Sequence, residues 1–146
     1  MWRHFLQELG LHLADCAPAS PAAIEHLEHA FELVLPEDLK SLLLEVGALS
    51  GSYGEGMLWS PHEMEEQNRV MRQRPQFGSL YMPFEGLFFI GDLGNGDLIG
   101  LRVLQGEVEA NNVFRWDHES DSRWNIQLDL KGYLQAAATG NILGRP

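Results

Sequence analysis

The stretch FFIGDLGNGDLIGL, residues 88–101, constrains the fold more than any other segment. Two apolar runs flank a cluster of Gly, Asn and Asp, the residues that tolerate positive φ. The chain is therefore expected to reverse there, with the two runs pairing as antiparallel strands. A phosphate loop is a poor alternative, because it needs a Lys followed by Ser or Thr after its glycines. A dinucleotide fingerprint would need G-x-G-x-x-G between a strand and a helix. Gly91, Gly94 and Gly96 have neither spacing, and Asp92 and Asp97 would repel phosphate. Calcium takes about six to eight converging oxygens. Asp92, Asn95 and Asp97 offer three side chains without the alternating D-x-D-x-D-G order, which leaves at most a weak, fortuitous site.

Upstream of this hairpin the periodicity is helical. Trp2, Phe5, Leu6, Leu9 and Leu13 recur at helical spacing and predict a first amphipathic helix with Gly10 as its weak point. Ser20 as N-cap and Pro21 at the first helical position start a second, whose Ile24, Leu27 and Phe31 mark a buried stripe. Pro36 restarts the chain as a third helix with Leu39, Leu42, Leu43 and Val46 on one face, and Gly47 fits a left-handed C-terminal cap. ALSGSYGEG reads as a loop and Met57 to Trp59 as a short strand. Ser60 and Glu63 stand at capping-box spacing, predicting a polar surface helix to about Arg74 with a thin stripe of Met64, Val70 and Met71.

Beyond Pro83 short runs rich in Phe, Ile, Leu and Val alternate with turn residues, predicting strands near 87–92, 97–104 and 112–117. A final helix over 129–138 buries Leu130, Tyr133, Leu134 and Ala137. Helices, then antiparallel strands, then a closing helix predict an α+β fold. The N-terminal helices and the C-terminal helix would cover one face of one antiparallel-rich sheet, with a mixed sheet as the variant and the other face open to water. The length, 146 residues without repeat or long linker, suits one core, so residues 1–146 read as a single domain.

Charge narrows the partner. The chain has 10 Lys and Arg against 21 Asp and Glu, a formal net charge of -11. Binding a polyanion depends on cationic side chains displacing counterions, so nucleic acid is excluded as the expected ligand. A basic protein would be attracted instead, with an on-rate that falls as salt rises; solubility alone is the plainer account of the charge. Cys16 is the only cysteine, which removes an internal disulfide and a cysteine zinc cluster, and it reads as an inert thiol. His4, Gln7, Glu8 and His12 interrupt the apolar residues of the N-terminal stretch, unlike a signal peptide. No apolar run approaches the roughly 20 residues of a membrane helix, so the cytoplasm is the expected compartment.

Other clusters are weaker. His26 and His29 with Glu25, Glu28 and Glu32, and His62 with Glu66, read as solvated helix faces. RWDHESDSRW gathers Asp117, His118, Glu119 and Asp121 between two tryptophans. A strand-end loop, a partner contact, and a metal or acid/base site all remain open for it, while Trp116 is expected in the sheet core. No G-x-S-x-G occurs, and no catalytic residue, metal site or cofactor is nominated.

The order of motifs carries a resemblance. An LP followed by a DLK…LL…G helix, then FFIGDLGNGDLIGL, then VFRWDHE and a closing amphipathic helix resembles the SUKH superfamily from about Leu27 to Leu134, with a loose match over Ser60 to Pro83. That superfamily includes bacterial immunity proteins and the yeast cell wall assembly regulator. The resemblance implies helices packed on a curved sheet, no catalytic activity and, in bacterial members, neutralisation of a toxin delivered by a competitor. Together with the charge it gives the working expectation of a protein partner, a cognate basic toxin such as a nuclease. Asp92, Asp97, Asp117, Glu119 and Asp121 would form one electronegative rim if their two turns share a sheet edge, with Tyr53 and Trp59 as aromatic anchors. A general regulatory module without a toxin is the alternative, and a small metal-dependent enzyme using His118 is the third reading. The oligomeric state stays open.

Overall fold

The computed structural model describes residues 1–73 and 82–140. Helix α1 spans Trp2–Glu8. It stops short of the predicted Leu13 because Gly10 takes a left-handed φ of 86°, yet Leu13 is still buried past the turn. Trp2 Nε1 donates to Ser41 Oγ at 2.8 Å, docking α1 on the third helix.

Helix α2, Pro21–Phe31, starts where Ser20 Oγ accepts from Ala23 N at 3.1 Å, as its N-cap signal predicts. Helix α3, Glu37–Glu45, has Leu39, Leu42 and Leu43 fully buried. Gly47 follows at φ 96°, and a Cβ there would lie 2.1 Å from the Ala17 carbonyl oxygen, so both conformation and space require glycine.

Helix α4, Pro61–Gln73, begins with the reciprocal Ser60 and Glu63 bonds of a capping box, 3.2 Å each; the predicted end at Arg74 lies outside the described residues. Its inner face is not the thin methionine stripe alone. Asn68 lies between Met64 and Met71 with no exposed surface. Its Nδ2 donates to Met64 O and Phe89 O, and its Oδ1 accepts from Phe89 N, each at 2.8 Å. One amide thus replaces a missing strand neighbour for Phe89.

The sheet consists of β3 (Leu87–Asp92), β4 (Leu98–Leu104), β5 (Glu107–Trp116) and β6 (Arg123–Asn125), in the order 3-4-5-6 and antiparallel throughout. The expected single sheet gains a companion, a two-stranded ribbon of β1 (Leu49–Ser50) and β2 (Gly56–Leu58). Trp59 N donates to Ile90 O at 2.8 Å, setting the end of the ribbon beside β3. Strand β5 begins five positions before the predicted 112, because Gln105 and Gly106 both take positive φ, 51° and 79°, and close a tight turn. Strand β6 escapes sequence reading because its three residues, RWN, carry no alternation. Val34 and Glu107 form an isolated parallel bridge.

The expectation of one wet sheet face fails at β3, whose Phe88 and Phe89 are both buried although neighbouring strand residues point to opposite faces. Phe88 meets Phe31 of α2 edge-on, while Phe89 meets Phe84 and Trp116. Trp116 is core, as its place in a strand suggests. Helix α5, Leu130–Ala138, is capped by Asp129 and sends the fully buried Tyr133 hydroxyl to Met57 O at 2.6 Å. Among the described residues no helix is long and apolar enough to cross a membrane. The architecture is α+β, as expected.

Candidate functional site

Leu98 pairs with Trp116 across β4 and β5, so the β3–β4 and β5–β6 turns leave the sheet at the same end. The first turn is the expected hairpin, closed by Leu93 N donating to Asp97 O, with Gly94 and Gly96 at φ 81° and 102°. The loop 51–55 joins them. Gly56 N at its end donates to Asp92 Oδ2 at 3.2 Å, and Gly94 sits against Glu55 Cβ.

Asp97 ties the two turns together. It is 4% exposed, and its Oδ2 accepts from Arg115 Nε and Nη2 at 3.1 and 2.8 Å. Its Oδ1 accepts from His118 N at 3.2 Å and lies 2.7 Å from His118 Nδ1. Burial alone would raise the Asp97 pKa, but the bonds from His118 and Arg115 outweigh it and hold the carboxyl below its ordinary value. The hydrogen bond to Asp97 in turn raises His118 above the ordinary imidazole value.

Three of the four remaining acids of the predicted rim have structural partners of their own. Asp92 Oδ2 accepts from Trp59 Nε1 at 2.8 Å and its Oδ1 from Gly94 N at 3.0 Å. Asp117, nearly buried, accepts from Glu119 N and Ser120 N and shapes the second turn. Asp121, at φ 60°, accepts from Trp116 Nε1 at 2.7 Å, from Met82 N at 2.8 Å and from Arg123 Nη2 at 2.8 Å. Desolvation raises its pKa, and those donors more than reverse the effect. Glu119 projects into water, with 83% of its side chain exposed.

Of the two expected anchors, Tyr53 stands 94% exposed at the loop tip. Trp59 does not stand out: it belongs to the core, because its indole N–H is spent on Asp92 and its ring lies under the loop.

Sequence reasoning missed the cleft that this convergence creates. A cavity of about 300 Å³ opens between the loop, the β3–β4 turn and α5, lined in part by Tyr53, Glu55, Asp92, Asn95, Arg115 and Tyr133. Glu55 was legible only as a loop residue, and Tyr133 only as a helix stripe.

Asp97, Asp117 and His118 each bring one ligand atom within 4.8 Å of the others, the only such group among the described residues. The Arg115 guanidinium already neutralises Asp97 from 2.8 Å, and His118 Nδ1 is turned onto the same carboxylate. The cluster is accounted for as a latch between turns. Of the histidines on helix faces, the exposed His26 pairs with the half-buried Glu65 and the exposed His62 with the exposed Glu66. Burial pushes the Cys16 thiol up, away from the thiolate that reactivity requires.

A comparison with curated proteins found no match. The SUKH family model described as SMI1-KNR4 cell-wall matches residues 21–134, from the start of α2 into α5. That span takes in every described strand, the hairpin, the latch and all of the cleft's lining except Ala137 and Gly140, and the chain belongs to the SUKH superfamily.

Proposed function

We propose that the chain is a non-catalytic, immunity-type domain that binds and neutralises a basic protein toxin, with a nuclease as the class its charge fits best. The SUKH family includes immunity proteins and regulatory proteins, and the net charge of -11 separates a basic partner from a nucleic acid. The observation that carries the reading is the meeting of two acidic turns and an exposed tyrosine at one end of the sheet. A nuclease keeps a cationic cleft for its substrate, and an acidic surface that occludes it gains both steering and affinity. Co-expression with the product of the neighbouring gene tests this. The expected result is a complex that survives purification and rescues growth. A chain that captures no such protein and protects no cell would defeat the reading.

The family description also names the cell wall, which favours a second reading, a regulatory module whose partner is not a toxin. Capture of a non-toxic cell-wall protein with the same sheet end would select it.

A further inference from the structure

The cleft beside α5 holds two carboxylates that form no ion pair with the described residues. Asp97 and Asp121 are neutralised by Arg115 and Arg123, and elsewhere Glu65 and Glu109 face Arg69 and Arg102. Asp92 and Glu55 differ. Asp92 receives three neutral donors, from Gly56, Gly94 and Trp59, and Glu55 receives Tyr53 N at 3.1 Å. Among the described residues neither carboxylate makes an ion pair. Both line one concavity whose wall also contains Met57, Leu93 and Ala137.

Two uncompensated negative charges in a recess with apolar walls focus the field on whatever enters. Tyr133 at the base registers both: burial raises its pKa first, and the charges of Asp92 and Glu55 raise it further. The exposed Tyr53 ring at the mouth offers the π face that cations seek. Arg115 borders the cleft, but its charge is held by Asp97. A volume of about 300 Å³ is at the small end of ligand clefts, which run from about 300 to 1,000 Å³, and suits one side chain better than a cofactor.

We propose that this cleft receives one lysine or arginine side chain of a basic protein partner, its cation held between the Glu55 and Asp92 carboxylates and covered by the Tyr53 ring. The proposal rests on the reading of the chain as a protein-binding domain and names the site that reading lacks. Asp92 is spent in part on holding the loop, so Glu55 and Tyr53 are the positions to change.

The test titrates the full chain, labelled with ¹⁵N, with the blocked tripeptide acetyl-Gly-Lys-Gly-amide, its arginine counterpart, and the same peptide with the lysine Nε acetylated. The expected result is saturable shifts centred on the amides of Gly54, Gly56 and Gly94 for the cationic peptides and none for the acetylated one. Glu55→Gln, which keeps shape and the acceptor for Tyr53 N, should weaken binding about tenfold. Tyr53→Ala should weaken it about threefold while Tyr53→Phe binds as wild type. Glu37→Gln, the same charge change at a 92% exposed side chain on α3, should have no effect. Shifts scattered over the acidic surface, equal binding of the acetylated peptide, or equal loss in Glu37→Gln and Glu55→Gln would overturn the proposal. The peptides need no toxin, which separates the two claims. A chain that takes the peptide in the cleft but captures no neighbouring-gene product defeats the toxin reading alone. One whose Glu55→Gln, Tyr53→Ala variant captures that product at wild-type strength defeats the cleft alone.

Discussion

Asp97 shows why residue identity at this sheet end is set by internal chemistry before it is set by any partner. Its carboxylate holds Arg115, which is 15% exposed at its side chain and whose guanidinium also lies 5.6 Å from the Trp124 ring. Asp97→Asn removes the charge and leaves the guanidinium nearly buried and uncompensated, a change that costs roughly 3 kcal/mol by analogy with broken buried pairs. Urea denaturation of the variant should report a loss of that size. The pH dependence has two limbs. Asp97 and Asp121 have depressed pKa values, so their contribution is present above their ordinary 3.8 and is lost as pH falls through the lower folded values. His118 has a raised pKa, so its contribution is complete below the ordinary 6.5 and is lost as pH rises through the higher folded value. Denaturation midpoints should therefore decline above about pH 6.5 in the wild type. In His118→Gln that decline should vanish while the acid limb remains; an unchanged slope would remove His118 from the latch.

At the scale of elements, local signals were legible and distant ones were not. The capping box of α4, the N-cap of α2 and the Gly94–Gly96 hairpin act over two to four residues and can be read from the chain in order. The Trp59–Asp92 bond joins residues 33 positions apart and the Arg115–Asp97 pair joins residues 18 apart, so each depends on strands already being in register. That dependence is why Trp59 reads as an anchor in the sequence and is core in the structure. Asn68 makes the same point from inside a helix. It falls within the stretch expected as a polar surface helix, yet its side chain satisfies both backbone groups of Phe89. Asn68→Leu leaves a buried N–H and C=O unpaired, and a loss of about 2 to 4 kcal/mol is expected in urea denaturation, with faster amide exchange at Phe89. Gly96→Ala should cost about 1 to 3 kcal/mol, since φ is 102° and a Cβ would approach the His118 ring to 2.8 Å. A variant as stable as wild type would mean that the turn adjusts freely.

For the whole molecule, the family and the net charge were both visible before the fold, because motif order and composition survive without coordinates. What remained hidden was how the acids are used. Four of the five acids of the expected rim serve turns and latches, while Glu119 and Tyr53 are exposed and Glu55 and Asp92 line the cleft. A partner would therefore be steered by the summed field and held by a few residues, so association should weaken with salt while specificity rests on the cleft and loop tip. Calorimetric titration of the chain with the neighbouring gene's product, at about 50 and 300 mM salt, tests the central claim most directly. The account predicts one-to-one binding whose affinity falls at the higher salt and falls again in Tyr53→Ala, Glu119→Lys; no binding, or binding indifferent to both salt and these substitutions, would contradict it.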